Sequence, residues 1–492
     1  MKSYKILSII LTLSLLCIFV ISCGDDGSTS DNVNTADNEI TTESEIETAE
    51  TELKPDLPEL DCEGAEYHVL TKLENDEAGQ WTARDIYVED MNGEVVNDAV
   101  YERNRKLEEK YNCEITQTRM KMGPQYSYSM TKQISKLVMA GDSSYDMIMP
   151  TIQDAAALAR DGMLYDLNTI GNVDLTKPWW NQQFREDTRI GGHNYFGDGD
   201  ICTTFMRSTY AILFNKQLFE DYGMESPYKT VRDGNWTIDE MQALALAYAQ
   251  DLNSNGKMDN DDKIGLLRIY NQIEALYTAS GAKMVTVDDS GTFKFEGDSE
   301  KSIAILNQIF KLFNTKEAVL SSDVIKARQI FGANNALMLF GTMNNVPEMR
   351  SMETDFGILP LPKSLETQDQ YYSYVQTWAS GCAAIYITAK DTQKSSIILE
   401  DMAFEAMNIL TPAYYEIALK TKYARDTDSQ EMLDLIYSVR TCDLGNLYNI
   451  GDVVSGVTNL VNNGKDTFAS FMESKLDSIN ITLGELSDMY AN

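Results

Sequence analysis

In Tyr145-Asp146-Met147-Ile148-Met149-Pro150 the run Met147-Ile148-Met149 is apolar at consecutive positions and is closed by a proline, the pattern of a strand covered on both faces. Ahead of it, Met130, Ile134, Leu137 and Val138 fall on one face of a helix that Gly141 closes. Further back, Cys113 to Thr118 alternates like a strand, Asp98 to Tyr111 places Val100, Leu107 and Tyr111 on one helical face, and Tyr67 to Thr71 reads as a first strand. Strand and helix alternate, so this part of the chain is expected to be an α/β lobe with a largely parallel sheet, whose ligands meet the loops at the carboxyl ends of the strands.

Downstream, Ala211 to Phe214 reads as a short apolar strand, and Thr237-Ile238-Asp239-Glu240 has capping-box spacing for a helix running to Ala249. Ala336 to Phe340, Phe356 to Pro362 and Ala383 to Ile387 are further strand candidates, and helical segments dominate from Ser395 to the end. At 492 residues, 43% of them hydrophobic, the chain is expected to form two lobes.

The amino terminus sets the expected compartment. Lys2 and Lys5 precede the apolar run Ile6 to Ile21, which is too short for a spanning helix and reads as a signal peptide over residues 1–22. Val20-Ile21-Ser22-Cys23 resembles a lipobox, which implies cleavage before Cys23 and acyl chains on it. Gly24 to Asp61 holds thirteen acids against one lysine, so residues 23–60 are expected to be a disordered, self-repelling tether. A net charge of −35 argues against nucleic acid as a partner. Of the seven cysteines, Cys62, Cys113, Cys202, Cys382 and Cys442 remain in the body; without a CxxC pair they read mainly as small buried residues.

Six stretches in this order resemble the family 1 extracellular solute-binding proteins, the carbohydrate-type receptors of ABC importers: Tyr145 to Pro150, Asp161 to Leu167, Leu213 to Phe219 with Tyr222-Gly223, Trp236 to Glu240, Phe331 to Phe340, and Phe356 to Pro362. The resemblance implies a two-lobe periplasmic-binding-protein-like fold with hinge-crossing strands and a helical C-terminal region. It puts residues 61–208 and 343–400 in lobe 1 and residues 209–342 and 401–492 in lobe 2, with crossings near Ser208 to Ala211 and Phe340 to Asn344. It further implies a ligand held between the lobes, a membrane permease as partner, a monomer, and a place on the outer face of the cell membrane.

A sugar site needs flat apolar faces for the ring and fixed polar groups for the hydroxyls. Trp378 is the first candidate, followed by Trp179 and Trp180, each of which reads equally well as a core anchor. Trp81 and Trp236 read as structural. Thr151, Gln153 and Asp154 follow the Tyr145 to Met149 strand, where the family places a ligand loop, although Asp154 also suits a helix cap. Thr342, Asn344 and Asn345 at one crossing, with Arg207 and Tyr210 at the other, complete the set.

Asp251, Asn253, Asn255, Lys257, Asp259 and Asp262 have the spacing of an EF-hand calcium loop, with Gly256 at the turn and Asp262 where the usual ligand is Glu. A structural calcium and a plain Asx-rich turn both fit that spacing. Catalytic signatures such as GxSxG, HExxH and a Walker loop are absent, and His68 and His193 have no partner implied by spacing, so no enzyme activity and no catalytic cofactor are expected. An extracellular glycosidase, and a peptide-binding or ligand-sensing receptor of the same fold, are the rival readings.

Overall fold

β1 (Glu66–Leu73) leads through α1 (Val95–Tyr111) to β2 (Glu114–Lys121), then through α2 (Ser129–Ala140) to β3 (Met147–Met149) and α3 (Ile152–Arg160). The computed structural model describes residues 54–73, 85–121, 129–269, 272–288, 290–424 and 426–491. The expected signal peptide, Cys23, the tether up to Leu53, and Trp81 lie outside the described residues.

β1 is central, pairing in parallel with β2 along its whole length and with β3 from Val69 to Thr71. Helices on either side cover it, which is why Val69, Leu70, Met147, Ile148 and Met149 are all buried. Residues 383–386 extend the same sheet through antiparallel bridges, Ala384 with Ile148, Ala383 with Gly197 and Tyr386 with Leu164. In α1 the buried face carries Val100, Leu107 and Tyr111, as the periodicity predicts.

The second sheet is mixed. β4 (Tyr210–Asn215) and β5 (Ile264–Ile269) are followed by a hairpin of β6 (Val285–Val287) and β7 (Phe293–Phe295), and then by β8 (Val319–Ser322), β9 (Ala336–Thr342) and β10 (Phe356–Leu359). Its strand order is β10-β4-β9-β5-β8, with β4 antiparallel to both neighbours. Thr237 caps the helix Ile238–Tyr248 by accepting from Glu240 N at 3.2 Å, which realises the capping signal. That helix lies so close to β5 that a Cβ at Gly265 would stand 2.1 Å from Ala245 O, so only glycine fits there.

The return crossing differs from expectation. Residues 343–372 do not go back to the first lobe at Asn344, because β10 pairs with β4, and Met349, Met352 and Phe356 join the core beneath that sheet. The chain returns through β11 (Ser373–Tyr374) and Val375, which bridges to Thr209, and Ile152 N then donates to Ser380 O at 3.0 Å. β4 needs an antiparallel partner on the side away from β9, a requirement that segment order does not display. The start of the 401–492 stretch also lies on the first lobe: Asp401 and Glu405 accept from Lys110 (2.7 Å) and Lys106 (2.6 Å) of α1. Farther on, Thr427–Ser438 packs on β10 and Phe468–Ala491 touches elements of both lobes. β12 (Arg440–Thr441) pairs with β11. Among the described residues no helix is long and apolar enough to cross a membrane.

Candidate functional site

Thr151 caps α3 by accepting from Asp154 N (3.1 Å), and the Asp154 carboxylate in turn accepts from Thr151 Oγ1 (2.7 Å), Thr131 Oγ1 (2.7 Å) and Thr131 N (3.0 Å). Thr151 is therefore the helix cap, and Asp154 is a buried tie between the starts of α2 and α3. This closed network turns α3 so that its first turn lies on residues 377–381, where Gln153 N donates to Thr377 O (3.2 Å). Gln153 and the half-buried Trp378 are thereby brought to one wall.

They border a cavity of about 550 Å³ that the second lobe and the C-terminal helices complete with Glu274, Tyr374, Asn446, Asn449, Thr458 and Asn459. Tyr374 is fixed on its inner side: its ring stacks on Tyr210 (5.7 Å between centroids), and Asn446 Nδ2 donates to its hydroxyl at 2.6 Å. Tyr210, a sequence candidate, supports the cleft from behind and shares a 3.2 Å hydrogen bond with Gln376. The helix Val453–Asn462 buries Val453, Val457 and Val461 and turns Val454, Ser455, Thr458 and Asn459 to the cleft, four residues apart on one face.

Two acceptors in this wall, Gln153 Oε1 and Glu274 Oε2, are buried without a hydrogen-bond partner. Such groups are costly to leave unmet, and a ligand carrying donors meets them. Burial pushes the Glu274 carboxyl up to about 7, against an opposing backbone hydrogen bond. No Lys or Arg lines the cavity among the described residues.

The remaining candidates lie elsewhere. Trp179 and Trp180 are buried, and both indole N–H groups donate to Glu400, at 2.9 Å each. They border a separate cavity of about 300 Å³ with Asp198, Asp200 and Arg440. Asn345 closes the turn after β9, donating to Thr342 O (2.9 Å) and accepting from Arg328 Nε (2.9 Å); Asn344 is buried beside it, and Arg207 is half-buried on the short helix Thr204–Arg207. A larger concavity of about 790 Å³ belongs to the second lobe alone, between the helix Glu300–Phe313 and residues 364–372. His193 faces Asp166 (2.7 Å) and His68 faces Thr118 (2.8 Å), so each imidazole has one close polar neighbour and none in the cleft.

In the 251–262 loop, Asp251 accepts from Gly256 N (2.8 Å), Asp262 from Leu252 N (2.9 Å) and Asp259 N (2.8 Å), and Asp259 from Asn255 Nδ2 (2.8 Å). Gly256 stands at φ +75°, as the tight turn requires. Lys257 presents its main-chain N–H to Asn255 Oδ1 (2.8 Å), and Asn253 Oδ1 accepts from Asn255 N (3.0 Å). Among the described residues no three His, Cys, Asp or Glu side chains converge as a metal centre.

Glu274, Tyr374 and the 446–459 residues were not anticipated from sequence. The only signals were a single acid within the apolar run Ile273 to Ala279 and the polar face opposite the Val453/Val457/Val461 stripe.

No protein-family model matches the chain, and no curated protein does. Solved structures match over nearly their whole length. One is an ABC substrate-binding protein of Listeria monocytogenes in complex with cycloalternan, with a TM-score of 0.56 at 13% identity over 86% of this chain and 99% of that one. The chain has the two-lobe fold of the maltose-binding type. A cyclo/maltodextrin-binding protein complexed with maltotetraose (TM-score 0.55, 13% identity, 89% and 98% covered) and maltose-bound MalE3 of T. maritima (0.51, 14%, 87% and 100%) share that fold. These neighbours are binding proteins, and at such identity the likeness carries the maltose-binding-type architecture rather than a ligand.

Proposed function

We propose that the chain is an extracellular solute-binding lipoprotein that captures an uncharged, hydroxyl-rich solute, a mono- or oligosaccharide, between its lobes and hands it to an ABC importer. The observation that carries this reading is the cleft wall itself: Trp378 beside Gln153, Glu274, Asn446 and Asn459, with unmet acceptors and, among the described residues, no cation. An aromatic face suits sugar C–H surfaces, unmet acceptors suit hydroxyl donors, and about 550 Å³ falls within the range of small-molecule sites. The sugars bound by the fold's solved neighbours point the same way. A glycosidase needs two carboxyl groups flanking one bond, and Glu274 is the one carboxylate lining this cleft among the described residues. Closure of the lobes on the ligand would create the form a permease recognises.

Calorimetry against maltodextrins, cyclic glucans, uronates, amino acids and peptides tests the reading. Saturable binding of neutral sugars without turnover is expected; binding of uronates or peptides only, or hydrolysis, overturns it. Anchoring through Cys23 adds a second test: Cys23→Ala should release the protein from the cell surface and abolish fatty-acid labelling.

The cleft also sets a pH dependence. Ligand hydroxyls donating to Glu274 favour its charged form, so affinity should rise several-fold as pH increases through about 7. Glu274→Gln should flatten that profile in calorimetry at pH 6 and pH 8; an unchanged profile removes Glu274 from contact.

A structural calcium in the 251–262 loop belongs to the same proposal. Its support is spacing alone: Asp251, Asn253, Asn255, the Lys257 carbonyl, Asp259 and Asp262 stand at calcium-loop intervals, and binding would have to draw the three carboxylates together from the hydrogen bonds they accept within the loop. Calcium added back to EDTA-treated protein should raise Tm without changing the ligand preference. An unmoved Tm leaves the loop a hydrogen-bonded turn.

A further inference from the structure

Cys62 and Cys113 are separated in sequence by the whole of β1 and α1, yet their main chains run side by side. Cys62 N donates to Tyr111 O (2.8 Å), Gly64 N to Asn112 O (2.8 Å) and Glu114 N to Ala65 O (3.1 Å). Both segments turn sharply through left-handed residues, Glu63 (φ +53°) with Gly64 on one side and Asn112 (φ +47°) on the other. Asp61 ties the turns together by accepting from Glu63 N (2.8 Å) and Asn112 Nδ2 (2.8 Å). Main chains hydrogen-bonded in this way lie about 5 Å apart, which brings Cys62 and Cys113 onto adjacent segments at the spacing disulfides bridge. The two thiols are half-buried and free, and Cys62 stands close enough to help raise the Cys113 thiol.

We propose that Cys62 and Cys113 form a structural disulfide that staples the entry of the chain into its folded body to the α1–β2 connection. The other three body cysteines are fully buried: Cys202 lies on Thr204 (3.1 Å) and Cys382 on Pro150 O (3.8 Å), out of reach of an oxidant. The bridge forms by exchange with a small-molecule disulfide. One Cys thiolate attacks it and releases one thiol; the second Cys loses its proton, attacks the mixed disulfide and releases the other. Two Cys S–H bonds become one S–S bond while the small disulfide gains two electrons and two protons. Burial pushes the Cys113 thiol up to about 12 and raises Cys62 as well, so both are poor leaving groups. Once formed, the bridge holds rather than shuttles. Its presence in the cell rests on the export reading; its chemistry does not.

The test uses the full-length chain, alkylated with iodoacetamide on intact cells and under denaturant before peptide mapping without reduction. A parallel sample is first treated with glutathione disulfide. A peptide cross-linked between Cys62 and Cys113 is expected in both. Dithiothreitol should remove the cross-link and lower Tm, by on the order of 5 °C. Cys62→Ser and Cys113→Ser should each reproduce that drop, the double variant should add nothing, and dithiothreitol should no longer act on any of them. Complete alkylation of both residues after glutathione disulfide treatment overturns the pairing, as does a dithiothreitol-sensitive Tm that survives Cys62→Ser. A bridge that forms only with added disulfide, in protein recovered from the cell surface, overturns its being a native modification. The same result in protein retained with its signal uncleaved places the failure in the export reading instead.

Discussion

Replacing Trp378 with alanine is expected to weaken sugar binding by about 30-fold or more, ~2 kcal/mol, while leaving Tm of the unliganded protein nearly unchanged. The indole is half-buried at the rim of a preformed cavity rather than in a core, so its removal leaves no sealed void. Its backbone place is held independently, by Ile152 N on Ser380 O and Gln153 N on Thr377 O. Trp378→Phe, which keeps a flat face, should recover part of the loss. Calorimetry on a tight-binding saccharide decides the matter, and an unchanged affinity in the alanine variant takes Trp378 out of the site.

The largest effect on stability is expected at Glu400. Its carboxylate accepts from Trp179 Nε1 and Trp180 Nε1 at 2.9 Å each and from Asp174 N at 3.2 Å. Glu400→Ala strands two buried indole donors and opens a void, at a cost of about 3–5 kcal/mol. Urea unfolding measures it, and a loss under about 1 kcal/mol would mean that water replaces the carboxylate. The pH dependence follows with a definite sign. Burial raises the Glu400 carboxyl from its ordinary 4.5 to about 7, against the two indole donors. A carboxyl raised by folding contributes stability that is fully present below about 4.5 and is lost as pH rises through about 7, on the order of 2–3 kcal/mol for such a shift. Glu274 (about 7), Asp200 (about 6) and Asp443 (about 6) are raised by burial in the same direction. Tm should therefore fall between pH 5 and pH 8, and Glu400→Gln should reduce that slope.

What was legible in the sequence is what depends on local pattern. The runs around Tyr67, Met130 and Met147 specify the parallel sheet because each buried strand and helix face is written in consecutive residues. The Thr237 cap and the α1 face were legible for the same reason. Gln153 and Trp378 could be singled out as candidates because one follows a strand end and the other lies in a short segment between core elements, and both border the cleft. The rest is set by partners far apart in the chain. Trp179 and Trp180 look alike as core or site until Glu400, more than two hundred positions on, takes both indoles. The position of the return crossing depends on β10 choosing β4, and Glu274, Asn446 and Asn459 meet only when two lobes and a C-terminal helix are assembled.

The pairing of residues 383–386 with Ile148, Gly197 and Leu164 bears on the timing of folding. The second sheet, from Tyr210 to Leu359, is continuous in sequence, whereas the first is begun at Glu66 and completed only by a segment lying beyond it. Contacts that far apart are slow to close, and a chain emerging amino-terminus first presents them late. The lobe that starts the sequence is therefore expected to finish last, and until Glu400 arrives the indole N–H groups of Trp179 and Trp180 lack the acceptor that holds them in the folded protein.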